Sequence, residues 1–135
     1  MKLFSTRVHG ILDYLMGGLL IASPWLFGFN EGGAETWVPV LLGISVLVYS
    51  MLTRYEYGVF KTLSMKTHLT LDIIGGIFLA ASPWIFGFNE YVYLPHLILG
   101  ISEIAAATMT EKEVGTLPAN HRRHTYRTHT HRTAH

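Results

Sequence analysis

The chain has 135 residues, half of them hydrophobic and only 14% charged, with a formal net charge of +1 and no cysteine. That length fits one domain. The charge content lies well below the roughly 25% of an ordinary soluble domain, and the missing thiols exclude disulfides, thiolate catalysis and cysteine-ligated zinc.

In chain order, four segments are long and apolar enough to cross a bilayer, which takes about 20 residues each: 9–28, 37–53, 68–87 and 93–110. Between Val8 and Thr53 the only charged side chains are Asp13, Glu31 and Glu35, a run that a small soluble fold has no room to hide. The first segment has the basic start and apolar stretch of a signal peptide. Asp13 interrupts it, however, and residues 61–90 repeat its pattern inside the chain, so it reads as a retained helix. The breaks "NEGGAET" and "NEY" are short and acidic, whereas "RYEYGVFKTLSMKT" is longer and basic. Every Lys and Arg falls before the first segment, between the second and third, or after the fourth. The positive-inside rule then predicts that both termini and the middle loop are cytoplasmic.

The first segment closes with "SPWLFGFNE" at 23–31, and the third with "SPWIFGFNE" at 82–90. Lys2, Ser5, Arg7, His9, Asp13, Gly17 and Ala22 align with Lys61, Ser64, Lys66, His68, Asp72, Gly76 and Ala81, and "GIS" at 43–45 returns at 100–102. The predicted fold class is an all-α membrane protein of four transmembrane helices. Two parallel helical hairpins, 2–56 and 61–113, are related by a pseudo-two-fold along the membrane normal. Within each motif, Pro24 and Pro83 lack an N–H, so the helix kinks or restarts there. Ser23 and Ser82 either bond back to a freed carbonyl or cap a new turn. Trp25, Trp84 and the phenylalanines suit the headgroup region, and Gly28 and Asn30 suit a chain leaving a helix. Two helical pairs, each with Ser-Pro-Trp in its first helix, resemble the SPW-repeat integral membrane proteins of bacteria and archaea. The resemblance covers residues 2–110. It implies this fold and a multi-pass location in a prokaryotic cytoplasmic membrane, and it brings no catalytic residues.

Turning about 100° per residue, His9, Asp13, Gly17, Pro24 and Gly28 fall on one stripe, and His68, Asp72, Gly76, Pro83 and Gly87 repeat it. Small residues allow close helix approach in lipid, so the stripes are expected to face the bundle interior. The His-x-x-x-Asp pairs have ligand chemistry for a divalent metal or a proton relay. The plainer account is a hydrogen-bonded helix start in each half. Glu103 lies inside the fourth segment where its counterpart is Val46. Its alternatives are an interhelical hydrogen bond, a proton or cation site, or a subunit contact. His96 reads as an interfacial residue without a role. Tyr55, Tyr57 and Phe60 read as a surface segment lying on anionic headgroups at the cytoplasmic face.

The tail 114–135 contains "HRRHTYRTHTHRTAH" and no apolar period, so it is expected to be disordered. His121, His124, His129 and His131 are weak metal candidates there, and no nucleic acid is expected. Neither a phosphate loop nor a nucleophile elbow nor a closed metal motif occurs, and no cofactor is expected. The leading expectation is therefore a non-enzymatic membrane component that packs as a homo-oligomer or as a subunit of a larger complex. A minimal proton or divalent-metal transporter using His9, Asp13, His68, Asp72 and Glu103 is the alternative.

Overall fold

The computed structural model describes residues 2–112; the tail 114–135 and its histidines lie outside the described residues. Four helices follow one another: α1 (Thr6–Leu26), α2 (Ala34–Leu52), α3 (Met65–Ile85) and α4 (Leu94–Thr108). No strand forms among the described residues, apart from single parallel bridges at Phe4–Thr110 and Thr53–Leu63. Two of the four expected spans, α2 and α3, are long and apolar enough to cross a membrane, while α4 is apolar but has 15 residues. α1 matches α3 in length at 21 residues but is less apolar.

α1 and α3 start alike. The hydroxyls of Ser5 and Ser64 accept the backbone N–H groups of Val8 and Thr67, which satisfies donors that the first helical turn leaves free. Both helices run through their proline and end two residues later. Pro24 has no N–H for the carbonyl of Leu20, four residues back, and the Ser23 hydroxyl donates to that carbonyl at 2.8 Å. Ser82 does the same for Leu79 at 2.7 Å. Of the two roles open to these serines, the bond to the freed carbonyl is the one formed. Gly28 and Gly87 then adopt φ 73°, a left-handed angle that glycine takes without strain. Phe29 and Phe88 close the turn by donating to the carbonyls of Pro24 and Pro83, which is the six-residue bond of a Schellman cap.

α1 packs along α2 and α3 along α4, with narrower contacts between α2 and α3 and between α1 and α4. Glycines set the close pairs. A methyl group added at Gly43 would come within 2.7 Å of the Gly17 carbonyl, and one at Gly76 within 2.7 Å of the Gly100 carbonyl.

Among the described residues, the interior holds more polar than hydrophobic side chains, whereas large aliphatic and aromatic side chains are exposed along every helix. One apolar cluster (Leu20, Val38, Val46, Leu79, Leu99) and a smaller one around Tyr55, Met65, Leu69 and Ala107 complete the packing. Tyr55 therefore corrects the expectation of a surface-lying aromatic segment. It is 2% exposed, against 39% for Tyr57 and 63% for Phe60. The missing side chain of Gly10 makes room for its ring. Burial, with the Asp13 charge as a lesser cause, pushes the Tyr55 phenol above its ordinary range.

Candidate functional site

The two polar stripes meet. His9 and Asp13 are one turn apart on α1, and His68 and Asp72 one turn apart on α3. All four side chains are buried, at 0%, 2%, 0% and 1% exposure respectively. The pairs cross between the hairpins: His9 Nε2 lies 3.0 Å from Asp72 Oδ2, and His68 Nε2 lies 2.9 Å from Asp13 Oδ2. Each histidine also faces the aspartate of its own helix, at 3.1 Å for His9–Asp13 and 3.3 Å for His68–Asp72. The account of a separate His–Asp helix start in each half is thereby corrected, because both imidazoles face both carboxylates. One ligand atom from each residue can be chosen so that all lie within 4.8 Å of one another.

The outer ring nitrogens fix the tautomers. His68 Nδ1 lies 2.7 Å from Thr53 Oγ1, and that hydroxyl donates to the Tyr49 carbonyl at 2.6 Å. A hydroxyl has one proton, and a carbonyl only accepts. Thr53 Oγ1 therefore accepts from Nδ1–H. The same logic holds for His9 Nδ1 and Thr110 Oγ1 at 2.9 Å, since Thr110 donates to the Ala106 carbonyl at 2.6 Å. Both imidazoles thus carry Nδ1–H and turn Nε2 toward the carboxylates. On the far side of the site, Tyr49 Oη donates to Asp72 Oδ1.

Thr53, Thr110 and Tyr49 had no place in the sequence reading. The offset that relates Gly43 to Gly100 also relates Thr53 to Thr110, a signal that would have found the two threonines. Tyr49 aligns with Ala106, so no repeat signal marks it.

Glu103 does not join the four. It sits on α4 about two turns before Thr110, is 5% exposed, and its Oε1 is buried without a hydrogen-bond partner among the described residues. The simplest role considered for it, an interhelical hydrogen bond, is not made by that atom. It lines two apolar side grooves. One, of about 230 Å3 between α2 and α3, also touches Asp72. The other, of about 410 Å3 between α1 and α4, also touches Asp13.

His96 is a second functional-looking residue that its sequence position did not reveal. It is 1% exposed, and its Nε2 donates at 2.8 Å to the carbonyl of Glu35. Pro39, four residues after Glu35, cannot use that carbonyl. The imidazole lies between the rings of Phe29 and Phe88, with both centroids 4.9 Å away. The inner phenylalanine of each motif thus clamps His96, while Trp25, Phe27, Trp84 and Phe86 remain exposed.

A helical bundle with a polar centre and an apolar exterior, tied together by paired motifs, defines the class of protein. The chain belongs to the SPW repeat family, whose repeat-domain model matches residues 7–110. Membership and the two long apolar helices point to a membrane protein. No curated protein and no solved structure matches the chain.

Proposed function

We propose that the protein is a non-enzymatic, multi-pass component of a prokaryotic cytoplasmic membrane, with both termini cytoplasmic. It acts by helix packing, as a homo-oligomer or within a larger membrane complex. The observation that carries this reading is the reversed distribution of polarity. His9, Asp13, His68 and Asp72 are enclosed by packing, while Ile11, Leu15, Leu41, Ile44, Ile74, Ile77, Ile98 and Ile101 point outward. In water such a surface would be a large aggregation liability; in lipid it is the ordinary exterior. The His/Asp centre joins hairpin to hairpin, and the chain between helices at the aromatic end is too short to build a substrate pocket. At the other end, Lys2, Lys66 and Lys112 line one recess between α3 and α4, which suits anionic headgroups.

The transporter reading draws on the two side grooves that reach Asp13, Asp72 and Glu103. Both are lined mainly by aliphatic side chains, which favours lipid or a neighbouring helix as occupant over water. One experiment separates the readings. Protein purified gently from its membrane is cross-linked and sized, then reconstituted into vesicles holding proton- and zinc-sensitive dyes. The packing reading expects a homo-oligomer or a defined co-purifying membrane protein, no flux above empty vesicles, and an intact assembly for Glu103→Gln. A monomer that carries protons or Zn2+, with flux lost in Glu103→Gln, would replace it with the transporter reading.

A further inference from the structure

We infer that His9, Asp13, His68 and Asp72 form a site for one structural divalent transition-metal ion, of which Zn2+ is the best fit. This rests on the reading of the cluster as a closed, packed centre rather than a transport path.

Charge is the first argument. Each imidazole has committed a proton at Nδ1 to a threonine hydroxyl. If that is its only proton, each Nε2 presents a lone pair to two carboxylates, and the buried site carries two negative charges with nothing to offset them. Such a core does not persist. Two positive charges must therefore sit among these four side chains, either as two further protons or as one divalent cation.

Direction decides between them. Protons on Nε2 would make two imidazolium groups, each aiming an N–H at a carboxylate oxygen. Of the four Nε2–carboxylate contacts, His9–Asp72 has hydrogen-bond alignment. Among the described residues, the fully buried His68 Nε2 has no hydrogen-bond partner, and neither does Asp13 Oδ2, although the two atoms are 2.9 Å apart. Two atoms this close that are misaligned for a bond to each other can both bind a cation set to one side of the line joining them.

Distance and ligand chemistry agree. Ligands held roughly 2.0–2.1 Å from a tetrahedral zinc ion lie about 3.3–3.4 Å from each other. The four contacts here are 2.9–3.3 Å, those of Asp13 through its two different oxygens. One ligand atom per residue can be chosen so that all lie within 4.8 Å, so the shortest pairs open slightly and the widest draw in to reach that geometry. Two imidazoles and two carboxylates suit Zn2+ better than Mg2+ or Ca2+, which prefer all-oxygen shells. Metal-bound histidines usually donate their other N–H to an oxygen that fixes the ring. Here Thr53 and Thr110 accept those bonds, and Tyr49 holds the second oxygen of Asp72. Two ligands come from each hairpin, so an ion at this place clamps the halves of the repeat together.

The test uses the full chain in detergent, stripped with a chelator and then offered Co2+, Zn2+ or Mg2+. The expected result is one tightly bound Co2+ per chain with the intense visible bands of tetrahedral coordination, displaced by Zn2+. Zn2+ also raises the melting temperature of stripped protein, and Mg2+ does not. Thr53→Val, nearly isosteric, weakens Zn2+ binding about 10–100-fold and spares any ion held by the histidine-rich tail. Asp72→Asn removes the tetrahedral bands. If that variant does not fold, zinc-edge absorption on wild type must show a mixed nitrogen and oxygen shell. Melting unaffected by Zn2+, or Co2+ bands that survive in Thr53→Val with unchanged affinity, would overturn the site and leave the packing reading standing. Zinc flux in vesicles would instead overturn the packing reading while leaving the ligands in place.

Discussion

At the scale of single residues, three prolines each orphan a carbonyl, and three side chains answer. Ser23 bonds Leu20, Ser82 bonds Leu79, and His96 bonds Glu35, which Pro39 has freed. This explains why serine precedes proline in both motifs: the hydroxyl at that position reaches back to the carbonyl that proline cannot use. A buried acceptor left unsatisfied costs about 1–3 kcal/mol, so Ser23→Ala should destabilise by that order in thermal unfolding. Ala at position 24 would restore an N–H to Leu20. Ser23→Ala should therefore be far milder in a Pro24→Ala background than alone. Equal cost in both backgrounds would show that Ser23 acts by packing rather than by this bond. The role of Ser23 was legible as one of two alternatives, because Ser-Pro is a local pattern. That of His96 was not, because its partner lies 61 residues away and nothing in a single imidazole near Pro95 names Glu35.

At the scale of elements, adjacent glycines behave differently because they lie on different helix faces. Gly17 and Gly76 sit in helix–helix contacts, whereas a methyl group at Gly18 would meet nothing within 4 Å and one at Gly75 only Leu42 at 3.9 Å. Gly76→Ala would drive a methyl into the Gly100 carbonyl. Backbone cannot rotate away as a side chain can, so α3 and α4 must separate at a cost of about 1–3 kcal/mol. Gly18→Ala should instead be neutral or stabilising by roughly 0.5–1 kcal/mol, since alanine is the better helix former. Melting temperatures of the two variants in one detergent check the contrast, and equal losses would show that the α3–α4 distance is not set by glycine. The stripe of small and polar residues was readable at this scale, since a period of 3.6 needs no tertiary knowledge. What it could not convey was the crossing of the pairs. His9 with Asp72 and His68 with Asp13 is a property of how two hairpins meet, and Thr53, Thr110 and Tyr49 enter from α2 and the ends beyond the helices. Tyr55 was misread because a tyrosine beside Arg54 and Glu56 looks like loop surface, and its pocket exists only where Gly10 leaves space.

At the scale of the whole molecule, the two ends of the bundle differ in chemistry, and that difference predicts which way it lies. The end at which α1 and α3 begin gathers Lys2, Arg7, Arg54, Lys61 and Lys66, with Lys112 following α4. The opposite end carries Glu31, Glu35 and Glu90, together with the exposed rings of Trp25, Trp37, Trp84, Tyr91 and Tyr93. Aromatic rings prefer the headgroup region at either face, so they set depth and not direction. Direction comes from the cations, because Lys and Arg close to membrane segments are retained on the cytoplasmic side. The chain has no cysteine, so a single introduced thiol reports without background. Asn30→Cys and Thr62→Cys both fall on exposed loop positions at opposite ends, and neither touches the His/Asp centre. In intact cells, a membrane-impermeant maleimide should label Asn30→Cys and leave Thr62→Cys unlabelled until the membrane is opened. Labelling of Thr62→Cys alone would reverse the molecule in the bilayer. Equal labelling of both from outside would break the four-span arrangement, since an odd number of crossings must separate the two positions. Recovery of both variants in the soluble fraction would remove the membrane altogether, and with it the reason for an exterior built of isoleucine, leucine and tryptophan.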